Sequence, residues 1–381
     1  MRVNPMLDQL GEYGIAELQD RGRALREAGR PVFDFSIGDP REPTAEFIRS
    51  ALVEAVPEVS QYPTVRGTAR LREAVAGYVR RRCGVEVDPE TQVLPTSGSK
   101  EAIFSSHFAF VQPGAGDLVV YPSPGYPIYR RGALLAGAAL HPLRLGGDFV
   151  MRPALVPEGL WRQVRMVWAC SPHNPSGAVM PPREIEHLYH RCRAYGALYC
   201  SDECYIDLYD GTPPVSLLQV AESDLRGALV FLSLSKRSGM TGYRSGAVVG
   251  DAAAIAALRR LRTSTGTASP EFTQAAAAAA WSDDDHVARR REVFAAKRAI
   301  LRVTFEKLGY GVVASRAGIY LWVFVRDDLK VSERLLDRGV LVSPGRIFGE
   351  GGEGYIRLAL VPTLDECEEA AKAIYRCLTG N

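Results

Sequence analysis

The sequence predicts an α/β protein: a large unit built on a mainly parallel sheet with helices on both faces, followed by a smaller α+β lobe. Three observations predict it. From about residue 91 short apolar runs alternate with helical patterns and Gly/Pro loops, at 92–94, 118–121, 166–170, 197–200 and 229–234, with one more run at 246–250. Alternation of this kind builds parallel sheets. Polar clusters trail these runs (SGSK, SPGYP, SPHNPSG, SDECY and SLSK), and parallel α/β sheets place ligands beyond the carboxyl ends of their strands. Residues 311–381 then carry strand patterns at 319–325, 340–342 and 355–360 and a closing helix at 364–378.

The remaining elements follow in order. An amphipathic helix at 15–28 ends at Gly29. VFDFSIGDPREP reads as a short strand running into a Gly-Pro turn. Residues 60–71 form an exposed loop with Tyr62 and Gly67, leading into a helix at 68–83. Ser269 and Pro270 read as N-cap and first residue of an alanine-rich helix, and a second helix spans about 285–308. The expected division is a segment 1–45 packed with the small lobe, a large domain 46–284 and a small domain 285–381.

Composition narrows the function classes. At 381 residues the chain can bury a large core. A net charge of +2 without a long basic run argues against nucleic acid. The first residues have no apolar core of signal-peptide length, and no later apolar run reaches about 18 residues. Seven scattered cysteines without a CxxC pair read as reduced thiols in a cytoplasmic protein. His187, His190 and Cys192 have suggestive spacing but lack a fourth ligand, so no metal is expected.

The chemistry is concentrated at the ends of the apolar runs. Lysine is scarce, at positions 100, 236, 297, 307, 330 and 372 only, among 46 Lys and Arg. Lys236 follows a buried-strand pattern and enters a loop with Ser233, Ser235, Gly239 and Arg244. Only a primary amine forms a Schiff base, which arginine cannot do. A surface loop with an incidental lysine is the plain alternative. Gly98, Ser99 and Lys100 open a helix whose free N–H groups suit a phosphate, or they are an ordinary helix start. Tyr126 on a Pro-rich turn can lie flat on a planar ring, or it is a packed loop tyrosine. Asn174 precedes Pro175, so its backbone is extended or the bond is cis; its amide could donate to a phenolate-like oxygen, or the stretch is a plain turn. Asp202, with Tyr205 three residues on, ends an apolar strand: a partner for a ring nitrogen, or a capping aspartate. Arg357 interrupts an apolar run, as a bidentate clamp for a carboxylate or as an edge residue reaching solvent. Taken together, these groups make the set that pyridoxal 5′-phosphate and an amino acid substrate require.

At this point the chain resembles the fold-type I, class I/II pyridoxal-phosphate aminotransferases. The resemblance rests on IGDP, Tyr62 with Gly67, SGSKEA, PGYPIY, SPHNPSG, SDECY, SLSKRSGMTGYRSG and GYIRLAL, spread over nearly the whole length. It implies a seven-stranded large-domain sheet and a homodimer with shared active sites. By the same resemblance Lys236 would hold the cofactor as a Schiff base, and Asp202 would pair with its pyridine nitrogen. Asn174 and Tyr205 would contact the ring oxygen, and Tyr126 would stack on the ring. Gly98, Ser99, Lys100 (through its backbone), Ser233 or Ser235, and Arg244 would hold the phosphate, with Tyr62 reaching in from a neighbouring subunit. Arg357, helped by Asn174 and the backbone at Gly38, would grip the substrate carboxylate. Within the family, SLSKRSGMTGYRSG and SDECYIDLY are most similar to N-succinyldiaminopimelate aminotransferases. That similarity implies transfer from an amino acid to a 2-oxo acid, with glutamate and 2-oxoglutarate as one pair and N-succinyl-LL-2,6-diaminopimelate on the lysine-biosynthetic side. A β-lyase on the same fold and a cofactor-sensing regulator remain as alternatives. Residues 13–15 and Arg23 are candidates to read the substrate side chain.

Overall fold

The computed structural model describes residues 1–10 and 16–379. Its centre is a seven-stranded sheet. Across it the strands run Val93–Thr96, Gly246–Gly250, Ala228–Ser233, Leu198–Asp202, Val164–Cys170, Leu118–Ser123 and Ala139–Arg144. The last five of these pair in parallel. Gly246–Gly250 runs antiparallel to both of its neighbours, so the sheet is mixed, with one reversed strand.

The inner strands are apolar throughout because helices cover both faces. Leu229, Val230 and Phe231 are fully buried, as are Val167 and Trp168, and each such Leu, Val or Phe contributes roughly 1.5–3 kcal/mol on leaving water. The expected runs match these strands within one or two residues, except for Ala139–Arg144, which was not expected. It is an edge strand, mostly exposed, with Pro142 inside it. An edge position tolerates proline and shows little alternation.

The helix Ala69–Cys83 starts at Thr68, whose hydroxyl accepts from the Leu71 N–H at 3.3 Å, and it stops at Gly84. The alanine-rich helix is Glu271–Ser282 with Pro270 at its cap, one residue later than expected; Ser269 instead bonds Arg244 and Ser97 through its hydroxyl. The long helix Asp285–Lys307 follows.

The C-terminal part has a four-stranded antiparallel sheet, ordered Ser343–Pro344, Tyr355–Ala359, Tyr320–Phe324 and Gly311–Val313. The N-terminal strand Phe33–Asp34 pairs in parallel with Val340–Leu341. The first forty residues are therefore tied to the C-terminal part. One apolar core runs from Phe231 and Trp168 on the large sheet to Leu321 and Ile356 on the small one.

Candidate active site

The turn bearing Lys236 sets the site. Sequence reading placed this lysine in a loop; it lies on a single helical turn, Leu234–Arg237, directly after the strand Ala228–Ser233. Ser233 caps that turn by accepting from the Ser235 N–H at 3.2 Å. Arg237 pins it from behind. Its guanidinium lies against the rings of both Tyr78 and Trp281, at 4.9 and 5.2 Å, and donates to Asp207 at 2.8 Å, Asp284 at 2.5 Å and the Ala280 carbonyl at 2.8 Å. A buried cation so fully paired leaves the turn little freedom. Lys236 itself projects forward and donates to the Gly38 carbonyl.

Burial lowers the pKa of Lys236 to about 8. Asp39 and the Cys204 thiol oppose that shift, while Arg244 and Arg357 add to it. The cause is loss of water around the charged form.

Two adjoining cavities meet at this amine. The inner one, about 190 Å³, is lined by Ser99, Lys100, Tyr126, Asp202, Cys204, Tyr205, Ser233, Ser235, Lys236 and Arg244. The outer one, about 720 Å³, shares Lys100, Tyr126, Tyr205 and Lys236 and adds Gly38, Asn174, Tyr320 and Arg357. Twelve of the fourteen expected site residues line this joined space, and Gly98 adjoins it, next to Ser99 and against Arg244. Tyr62 is the exception: it is fully exposed and lines neither cavity of its own chain.

At one end of the inner cavity the helix Ser99–Phe110 begins. Gly98 is its N-cap, with φ +81° and no side-chain capping bond. A Cβ at Gly98 would meet the Arg244 guanidinium, so glycine is needed there both for the backbone angle and for the close approach. Arg244 holds a left-handed backbone (φ 54°) and donates to the Thr241 carbonyl at 3.0 Å. An uncapped helix start beside a guanidinium and two serine hydroxyls is an anion-binding arrangement.

At the other end lies Asp202, fully buried at the last position of the strand Leu198–Asp202. Burial raises its pKa; the Cys204 thiol and backbone N–H and the Tyr129 hydroxyl, which donates at 2.7 Å, pull it back. Tyr205 is buried beside it, and its hydroxyl meets that of Tyr320 at 3.0 Å.

Arg357 crosses from the Tyr355–Ala359 strand. It donates to the Ser36 carbonyl at 2.7 Å and to Asn174 Oδ1 at 3.0 Å, and its guanidinium lies 4.4 Å from the rings of both Tyr320 and Phe348. With Asn174 Oδ1 engaged by Arg357, the amide N–H₂ of Asn174 is the group left to donate toward the cavity. The peptide bond between Asn174 and Pro175 is cis.

Sequence reading missed Tyr320, Tyr129, Ser36 and Cys204. Tyr320 and Tyr129 sit in apolar patterns that mark them as core, and nothing local distinguishes them. The expected side-chain readers at 13–15 lie outside the described residues, and Arg23 pairs with Asp20 on an exposed helix face. His187 and His190 face solvent whereas Cys192 is in the core, so these three do not converge.

The chain is similar over nearly its whole length to known aminotransferases. The family model described as aminotransferase class I and II matches residues 30–374. An LL-diaminopimelate aminotransferase 2 from a Nostoc species is 36% identical over 382 residues, with 97% of each chain covered. A 4-dedimethylamino-4-oxo-anhydrotetracycline transaminase from Streptomyces rimosus is 38% identical over 351 residues, covering 91% of this chain and 94% of that one. Among solved structures, an aminotransferase from Neisseria meningitidis superposes with TM-score 0.91 at 33% identity, covering 98% of this chain and 99% of that one. A probable N-succinyldiaminopimelate aminotransferase from Thermus thermophilus gives TM-score 0.89 at 28% identity, covering 96% and 100%.

Pyridoxal 5′-phosphate, the cofactor of this family, fits the donor set present. The uncapped helix start with Arg244 suits its phosphate, the buried carboxylate suits its ring nitrogen, and a lysine of lowered pKa suits its aldehyde. The chain belongs to the class I and II aminotransferases and is a pyridoxal-phosphate-dependent transaminase.

Proposed function

We propose that this transaminase moves an amino group between glutamate and a diaminopimelate-type oxo acid, free or N-succinylated, in the lysine-biosynthetic direction. The observation that carries the reading is the convergence of Lys236, Asp202 and Arg357 on two joined cavities. When bound, pyridoxal phosphate supplies an aldehyde that holds the amine and a ring that accepts the electron pair released at the α-carbon. The chain's residues do the rest. Lys236, largely uncharged above pH 8, would take the α-proton of the amino donor as general base and, as general acid, deliver it to the carbon that carried the cofactor's aldehyde. Asp202, as a carboxylate, would hold a proton on the ring nitrogen. Tyr205 and Asn174 would donate to the ring oxygen, and Tyr126 would pack on the ring. Gly98, Ser99, the backbone of Lys100, Ser233, Ser235 and Arg244 would hold the phosphate.

Arg357 takes the donor's α-carboxylate, with Ser36 and Asn174 keeping its fork aimed. Beyond it the outer cavity carries Arg130 and Arg131 as well as Glu350. Both signs of charge there suit a long substrate whose far end is itself charged. Two relatives whose names specify diaminopimelate or its N-succinyl form support the same class.

The chain works as a segment 1–45, a large domain 46–284 and a small domain 285–381, and as a cytoplasmic homodimer. Val53, Val56, Val59 and Tyr62, close together in the chain, are each exposed; a second copy would cover them, with Tyr62 entering the neighbour's phosphate site. Among the described residues, no helix is long and apolar enough to cross a membrane.

A half-reaction screen tests the substrate. Purified holoenzyme is mixed with LL-diaminopimelate, N-succinyl-LL-diaminopimelate or glutamate, and conversion to the amine form is followed by absorbance. Rapid conversion by glutamate and by one diaminopimelate compound is expected. Failure of both diaminopimelate compounds to convert the enzyme, with or without conversion by glutamate, would overturn the reading.

A further inference from the structure

Behind Asp202 lies a buried chain of polar contacts that meets that carboxylate through the Tyr129 hydroxyl and meets Tyr126 through the Tyr129 backbone N–H and ring edge. Tyr129, on the helix Ile128–Leu135, is fully buried and donates its hydroxyl to Asp202 Oδ2 at 2.7 Å. Its ring stacks on Trp168 with centroids 5.1 Å apart and planes 15° from parallel. The Trp168 indole N–H donates to His107 Nε2 at 2.9 Å, and His107 Nδ1 lies 3.1 Å from the Phe104 carbonyl. Accepting at Nε2 leaves Nδ1 as the donor, so one neutral tautomer is selected. Burial, which lowers the His107 pKa to about 4, agrees with this. Gly132, one turn on from Tyr129, lets the imidazole lie against the helix; a Cβ there would meet His107 Nδ1 and, at 2.8 Å, the Phe104 carbonyl.

Every member is buried and has a defined partner. A phenol held on both its face and its hydroxyl cannot swing away from the carboxylate. Cys170, Cys204, Tyr205 and Tyr320 interact with the Asp202 charge; Lys236 and Arg244 line the same cavity, but among the described residues no lysine or arginine hydrogen-bonds the carboxylate. The neutral donors therefore do the stabilising, and Tyr129 supplies the shortest bond among them.

We propose that Tyr129 is a positioning residue. Its hydroxyl holds the Asp202 carboxylate in the orientation and ionised form required by the cofactor's ring nitrogen, and Trp168 with His107 holds Tyr129 in turn. This rests on the assignment of Asp202 to that nitrogen.

The test uses purified full-length enzyme reconstituted with pyridoxal phosphate labelled with ¹⁵N in the ring. Tyr129→Phe removes only the hydroxyl; Trp168→Phe keeps an aromatic ring but deletes the bond to His107. Asp202→Asn is the control for the underlying assignment. Tyr129→Phe is expected to weaken cofactor binding roughly tenfold, the scale of one hydrogen bond to a charged group, and to move the ring-nitrogen resonance toward its unprotonated position. Trp168→Phe should move the same signals less. Wild-type affinity and an unmoved resonance in Tyr129→Phe would overturn the proposal, provided that Asp202→Asn does move the resonance. If Asp202→Asn leaves it unmoved, the Asp202 assignment has failed and the role of Tyr129 falls with it. Should Tyr129→Phe not fold, an unmoved resonance in Trp168→Phe overturns the proposal in its place.

Discussion

The reactivity of Lys236 in the cofactor-free protein can be worked from its surroundings. Burial brings its pKa to about 8 from an ordinary lysine value near 10.5. At pH 7 about a tenth of these side chains would carry a neutral amine, against about 0.03% for an ordinary lysine, a ratio of roughly 300. The sign is fixed by the mechanism: only the uncharged amine attacks an electrophile, so labelling rises with pH and levels off above the inflection. The assay is trace labelling of apoprotein with an amine-directed reagent between pH 6 and 11, quantified on the Lys236 peptide by mass spectrometry and normalised to a simple free amine. An inflection near 8 is expected. Asp39→Asn removes the largest influence holding the charge on this lysine, so the inflection should move lower. An inflection at the ordinary lysine value, or an upward move in Asp39→Asn, would refute the claim that desolvation governs this amine.

Other substitutions test other parts of the site. Arg357→Lys keeps the charge but loses the planar fork; kcat/KM for the donor should fall about 10²–10³-fold, as when a buried charged contact is truncated, with the cofactor spectrum unchanged. Gly98→Ala forces an L-residue to φ +81° and presses a methyl on Arg244. The strain of about 1–3 kcal/mol should appear as faster loss of cofactor on gel filtration. Arg237→Met leaves Asp207 with Arg82 and Tyr78 but without its closest buried cation. Denaturant unfolding should show a loss of about 3 kcal/mol, and an unchanged midpoint would contradict the pinning role.

Much of this was legible in the sequence because charge in an apolar run demands an explanation. Asp202 closes the strand Leu198–Asp202, Arg357 sits inside Tyr355–Ala359, and Lys236 follows Ala228–Ser233. Each stood out against its neighbours. Tyr320 and Tyr129 did not, since a tyrosine among Ile, Leu and Trp reads as packing and its hydroxyl partner lies 115 or 73 residues away. Ser36 acts through its carbonyl, which no side-chain pattern reports. The turn that carries Lys236 is four residues long, too short for any helical periodicity. The strand Ala139–Arg144 was hidden by its edge position and proline. A residue that serves a second chain leaves no trace in one chain's periodicity, and the role expected of Tyr62, exposed on its own chain, rests on resemblance alone.

The two cavities are completed at different points along the chain. All ten residues lining the inner one lie between Ser99 and Arg244. Arg357 comes 113 positions after Arg244 (357 − 244) and is aimed by a carbonyl at position 36. During synthesis the ribosome therefore delivers every residue lining the inner cavity well before the guanidinium proposed to grip the amino acid. A nascent chain halted short of position 357 would hold every residue that lines the inner cavity and lack the guanidinium proposed for the substrate's α-carboxylate.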